Sequence, residues 1–137
     1  MDRLATTLEE QVPSTNAMDD VFRLAFDQSA AGMVITSPSG EHLHTNRAYC
    51  EFVGYSPEEL EARRMLEVTH PDDRVKASEL RDRLVRNEIA LASWERRFVH
   101  KSGLTFWALV STTLVRQPDG DPAYFISQIL DISDRKQ

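Results

Sequence analysis

A chain of 137 residues, 41% hydrophobic and 28% charged, has the balance of one ordinary globular domain and is long enough to bury a core. Its formal net charge of −6 gives whole-chain nucleic-acid binding no electrostatic support, and no apolar run approaches the roughly 20 residues that span a bilayer. One cysteine, Cys50, excludes an internal disulfide, and the first residues lack the apolar core of a signal peptide, so a cytoplasmic protein without a membrane partner is expected.

Residues 1–17 are polar and carry Pro13, Ser14, Thr15 and Asn16 as breakers. They read as a flexible tail or, through the Leu4–Leu8 pair, as a segment ordered only against a partner. Asp19 or Asp20 can cap a helix that runs to about Ser29. Apolar residues wrap more than half of it, so one face packs inward and the other is left for a homodimer. Val21, Phe22, Leu24 and Phe26 are the candidate interface residues.

Residues 33–36 and 41–45 predict two short strands around the turn Ser37-Pro38-Ser39-Gly40. Asn46 caps a helix over residues 47–53 that Gly54 ends. Ser56-Pro57-Glu58-Glu59 starts another: a cap, a first-turn proline and acids at the positive end of the dipole. A connection over 63–69 leads to His70-Pro71-Asp72-Asp73, and an amphipathic helix follows to about Asn87, with Val75, Leu80, Leu84 and Val85 expected inward. The last third, from Trp94 to Asp131, reads as three strands broken at Lys101-Ser102-Gly103 and at Pro118-Asp119-Gly120-Asp121-Pro122, hence as antiparallel hairpins. Two strands, several helices and three strands predict an α+β fold: a five-stranded antiparallel sheet with helices on one face and a flanking N-terminal helix. The function should lie between that face and its helical cover.

Catalytic signals are few. No Ser-His-Asp order with a nucleophile elbow is present, and five glycines build no phosphate-cradling loop. Paired acids at 58–59 and 72–73 stand at helix starts, where the dipole accounts for them. No enzyme is predicted. His42 and His44, two apart, should share one face of a solvated or interface strand, and no third ligand is placed by sequence to complete a metal site. His70 reads as a turn residue, His100 as exposed and Cys50 as a small core residue.

Five stretches, in order, resemble the PAS domain family: NRAYCEFVGY (46–55), SPEEL (56–60), LEVTHPDDR (66–74), KSGLTFW (101–107) and DISDRK (131–136). Ser102 stands where the family usually has Asp. The resemblance covers about residues 19–136. It divides the chain into a tail (1–17), a PAS domain with its N-terminal cap helix (18–131) and the start of a signalling linker helix (132–137). It implies a cytoplasmic sensor and dimerisation module. Such a module controls a C-terminal output domain absent from this chain: a kinase, a cyclic-dinucleotide enzyme, a phosphatase or a DNA binder.

Similarity to flavin-binding members places a pocket on the inner sheet face. Its residues are Val34 and Thr36; Trp94, Arg96 and Phe98; Ala108, Val110 and Thr112; and Phe125, Ser127 and Ile129. Period-two alternation supports each set. Arg96 departs from the family, which usually has an apolar residue there. A buried guanidinium needs an anionic partner or a route to the rim. Either it snorkels or pairs with a helix carboxylate, or it holds the carboxylate of an apolar-tailed, fatty-acid-like ligand. The reactive cysteine of photoactive flavin members corresponds to Met65, and the flavin's polar contacts to Phe98, Ala108 and Ile129, so a flavin–cysteinyl photocycle is not expected. The long helix carries no histidine, so haem is not expected. The resemblance makes Asp131, Ile132 and Arg135 the signal exit. A ligand-sensing module and a ligand-free dimerisation or protein-interaction module with a filled core both remain open.

Overall fold

A computed structural model describes residues 15–136, with side chains from 19 to 134. The tail over 1–14, with Leu4 and Leu8, and the side chain of Arg135 lie outside the described residues. Helix α1 spans Thr15–Gln28. It starts upstream of the expected aspartate cap, since Ala17 and Met18 are strong helix formers and nothing forces a break before Asp19. Strands β1 (Gly32–Thr36) and β2 (His42–Thr45) follow. Three short helices come next: α2 (Arg47–Val53), α3 (Pro57–Glu61) and α4 (Met65–Val68). A 3₁₀ turn, Pro71–Asp73, then leads into α5 (Arg74–Val85). Strands β3 (Ala92–Val99), β4 (Thr105–Arg116) and β5 (Pro122–Asp131) complete the sheet. Ser133–Lys136 is a 3₁₀ turn, where the start of a linker helix was expected.

The sheet is antiparallel throughout, in the order β2-β1-β5-β4-β3. The first and last segments of the domain are therefore neighbours at its centre, with Gly32 opposite Ile129 and Thr36 opposite Phe125. This is the α+β architecture expected, with a helix preceding it.

Asn46 does more than cap α2. Its Oδ1 accepts from Tyr49 N (3.0 Å) and Met33 N (2.8 Å), and its Nδ2 donates to Phe26 O (2.9 Å) and Ala31 O (3.0 Å). One buried side chain thus ties α1, the connection after it, β1 and α2 together, with all its amide capacity used. Gly54 closes α2 in the left-handed region (φ 82°), and a Cβ there would lie 2.4 Å from the His100 ring. Ser56 and Glu59 form the reciprocal capping box at α3. Glu59 Oε2 also meets Lys101 Nζ at 2.6 Å, and these contacts hold its carboxyl well below the usual carboxylate range, at about 2.

Two expectations are corrected. Val75 and Val85 on α5 point to solvent. Nine residues, two and a half turns at about 3.6 residues per turn, separate Val75 from Leu84, so the two face opposite ways. The inward stripe is Ala77, Leu80, Arg81 and Leu84. His42 and His44 do not share a face either. The β1–β2 register shifts between Ile35 and Thr36, leaving Leu43 as the extra residue, so His42 pairs with Thr36 and turns inward while His44 pairs with Ile35 and stays exposed.

Candidate functional site

The inner-face residues divide into two groups. Val34, Phe98, Ala108, Val110 and Ile129 interlock with Tyr49, Val53, Leu60 and Val68 in a closed core. Thr36, Trp94, Arg96, Thr112, Phe125 and Ser127 instead border a cavity of about 70 Å³. Helix α5 supplies the facing wall through Ala77, Ser78, Leu80, Arg81 and Leu84, with Met65 and Leu66 of α4 closing one side. Among the described residues no acidic side chain lines this space, and two arginines do.

Arg96 is the chemical centre of the cavity. It is only 6% exposed. Its Nε and Nη2 both donate to Thr69 Oγ1, at 3.2 and 2.5 Å, and Thr69 passes its own proton to Met65 O at 2.8 Å. The aromatic faces of Phe98 and Trp94 flank the guanidinium at 5.2 and 5.7 Å. It has no ion pair among the described residues. It therefore neither snorkels to the rim nor finds a helix carboxylate. Burial pushes its pKa down to about 10, with Tyr49 and Asp73 countering in part, so it is a cation at neutral pH. Its Nη1 and the hydroxyl of Thr36 have no partner among the described residues, yet no fully enclosed side-chain nitrogen or oxygen there lacks one. Both atoms therefore keep some accessible surface, and both residues line the cavity. Across it, the hydroxyls of Thr112 and Ser127 bond each other at 2.7 Å.

Sequence reasoning found Arg96 but not Thr69, which holds it from the end of α4. Thr69 bridges to Phe98 across an isolated antiparallel pair, a contact no local pattern announces. Tyr49 and His42 were also missed. His42 Nδ1 lies 2.7 Å from Arg63 O, and a carbonyl only accepts, so Nδ1 carries the proton and Nε2 accepts from Tyr49 Oη at 2.9 Å. Burial is the main cause that lowers the His42 pKa and raises that of Tyr49, as a neutral phenol donating to a neutral imidazole requires. The backbone after His70 is a local turn, with Asp72 N donating to His70 Nδ1 at 3.1 Å. Cys50 is half-buried, 3.4 Å from Thr45 Oγ1, and His100 is half-buried rather than exposed.

The other face of β3 leads to the exit. Arg97 grips Asp73 with Nε (3.0 Å), Nη2 (2.8 Å) and its backbone N–H (2.8 Å), which holds the Asp73 carboxyl below the usual range. The same guanidinium lies 5.1 Å from the Trp107 ring. Trp107 N donates to Ser133 Oγ at 3.1 Å, and Ile132 N donates to Trp107 O at 3.0 Å. Ile132 is buried, and Asp131 Oδ1 accepts from Ser133 N. Of the α1 interface candidates, Val21, Phe22 and Leu24 are more than half exposed, while Phe26 is buried in its own fold, stacked 6.1 Å from Phe22. Phe26 cannot face a partner because Asn46 draws its backbone onto β1 and α2. Among the described residues, no three His, Cys, Asp or Glu side chains converge as a metal site, and no helix is long and apolar enough to cross a membrane.

Known proteins repeat this arrangement. The chain is similar to the crystal structure of the PAS domain of a Colwellia psychrerythraea protein, with a TM-score of 0.79 at 20% identity over 86% of this chain and 99% of that one. A domain of a Geobacter sulfurreducens sensory box sensor histidine kinase/response regulator gives 0.72 at 22% identity, over 87% and 98%. In sequence, the chain is 41% identical over 116 residues to the probable diguanylate cyclase DgcE of Escherichia coli (strain K12), covering 85% of this chain and 10% of that protein. It is 28% identical over 130 residues to the sensor histidine kinase TmoS of Ectopseudomonas mendocina, covering 95% of this chain and 13% of that protein. The chain thus spans about a tenth of the length of these relatives. The family model described as PAS fold matches residues 42–129. The sheet order, the helical cover and that match have one meaning: the chain belongs to the PAS family.

Proposed function

We propose that this chain is the sensory input of a longer cytoplasmic signalling protein and that a small molecule in the α5-side cavity biases a C-terminal output domain. The observation that carries the reading is the 41% identity to a segment of a diguanylate cyclase, which favours a cyclic-dinucleotide enzyme as the output. A kinase output is the next candidate, supported by the weaker likeness to TmoS. The module itself does no chemistry; it shifts an equilibrium between two states of its exit, which requires a ligand that binds those states unequally. The Asp73–Arg97–Trp107–Ser133 contacts supply a physical connection from the helix bordering the cavity to that exit. Asp131, Ile132 and Arg135 are its last residues.

The exposed apolar face of α1, Val21, Phe22 and Leu24, supports a homodimer. Light scattering on a chain lacking residues 1–29 tests this: a monomer or aggregate is expected, and an unchanged dimer would place the interface elsewhere.

The sensory reading is tested by grafting the chain in place of the matching segment of the E. coli cyclase and measuring cyclic-dinucleotide synthesis. Regulated activity that shifts with Leu84→Trp, which fills the cavity, is expected. Activity equal to that of a cyclase with the segment deleted would sink the reading. The closed half of the core favours a second reading, a ligand-free interaction module. Native and denaturing mass on one sample separate the two, since a mass lost on denaturation identifies a bound molecule.

A further inference from the structure

We propose that the cavity binds a short-chain carboxylate, with Arg96 as the residue that holds its charge. The inference rests on the sensory reading and names the class of ligand it would sense.

Three observations carry it. Arg96 is a nine-tenths buried cation whose only hydrogen-bond acceptor among the described residues is one neutral hydroxyl, and its Nη1 has no partner there. Asp73 acts on this guanidinium only through space, so the place of a contacting anion is open to a ligand. The second observation is the sign of the walls. In a chain of net charge −6, this cavity is lined by Arg96 and Arg81 and, among the described residues, by no Asp or Glu. The field of the two arginines favours a single negative group over a cationic one and offsets the cost of desolvating it.

The third is the division of polarity and space. Arg96 lies on the sheet side of the cavity, where its guanidinium can donate to a carboxylate oxygen. Leu80, Leu84 and Phe125 form an apolar end for a tail. At about 70 Å³ the space exceeds the roughly 10–15 Å³ that one water needs and has room for several waters or a small ligand. Sites for drug-sized ligands run to about 300–1,000 Å³. The space is small for a flavin or a haem, and an acid of a few carbons suits it best. The fatty-acid-like ligand considered from sequence is thereby cut down to its head and a short tail.

The test titrates the purified chain with sodium acetate, butyrate and octanoate, with butyramide as the uncharged match for butyrate and sodium chloride as the ionic control. Tryptophan fluorescence is the readout, since Trp94 borders the cavity, together with the thermal midpoint. Saturable binding of acetate or butyrate at millimolar concentration is expected, with octanoate weaker. Butyramide should bind at least about tenfold more weakly, as should butyrate to Arg96→Gln. Leu84→Trp, which leaves Arg96 in place and occupies the tail space, should lose butyrate while keeping the far-ultraviolet circular dichroism of the parent.

Equal binding of butyramide and butyrate, an equal response to chloride, or folded Arg96→Gln binding butyrate as the parent does would each overturn the proposal. If Arg96→Gln does not fold, butyrate binding that survives Leu84→Trp overturns it instead. Absence of binding by every acid while the grafted cyclase still responds to Leu84→Trp would defeat the carboxylate and spare the sensory reading. Binding without any response in the graft would support the carboxylate and defeat the sensory reading.

Discussion

The same strands build two different interiors. Beneath α2, strand residues Val34, Phe98, Ala108 and Ile129 meet Tyr49 and Val53, and nothing is left open. Beneath α5, Trp94, Thr112, Phe125 and Ser127 meet Ala77, Ser78 and Arg81, and a cavity remains. The strand faces are alike in size and alternation. The helices differ: α2 delivers an aromatic and a branched side chain, whereas α5 delivers two small residues and an arginine beside its two leucines. Whether this fold is filled or hollow is decided by the cover and not by the sheet.

That contrast can be broken by substitution. Phe98 is fully enclosed in the closed half, so Phe98→Ala should cost about 3–5 kcal/mol in urea denaturation, the largest effect expected. A loss below about 1.5 kcal/mol would mean that this half also has slack. Asn46→Ala should follow at about 2–3 kcal/mol, since it removes a cap and leaves buried backbone groups of β1 and α1 unpaired. The most direct comparison adds the same two methyl groups to each half. Ala108→Val should cost about 1–3 kcal/mol by overpacking, and Ala92→Val at the cavity should stay within about 0.5 kcal/mol. Equal costs would erase the distinction between the two halves.

The smallest effect concerns pH. Burial lowers the His42 pKa in the folded state, so the unfolded chain binds the proton more readily. The stability this residue contributes is fully present above the unfolded value of about 6.5 and is lost as pH falls from there towards the folded pKa. His42→Gln should flatten that slope in thermal midpoints measured from pH 7.5 to 5. A slope unchanged in the variant would assign it to other groups.

Much of this was legible because local rules and global fold agree. The Asn46 cap, the Ser56 capping box, the Gly54 stop and the hairpin breaks each follow from residues a few positions apart. The inner faces of β3, β4 and β5 came from the resemblance to flavin-binding members, with alternation supporting each set but not which side is in. The failures have separate causes. A one-residue bulge at Leu43 turned His42 inward against a period-two expectation. The phase of α5 was set by the turn ahead of it, which carried Val75 and Val85 outward. Arg96 was recognised as anomalous, but its partner Thr69 lies 27 residues away, on an element that alternation does not describe.

The pairing of β1 with β5 has a consequence for architecture at large. Gly32 faces Ile129, so the points where the polypeptide comes into the domain and leaves it stand side by side at one end of the central strands. The end of α1 and whatever follows Asp131 are therefore brought together by the fold and not held apart by it. Such a domain can be spliced into a long chain, or repeated along one, without lengthening the path between its neighbours. It follows that the module can pass on a twist or a tilt between its flanks far more readily than a change in their separation.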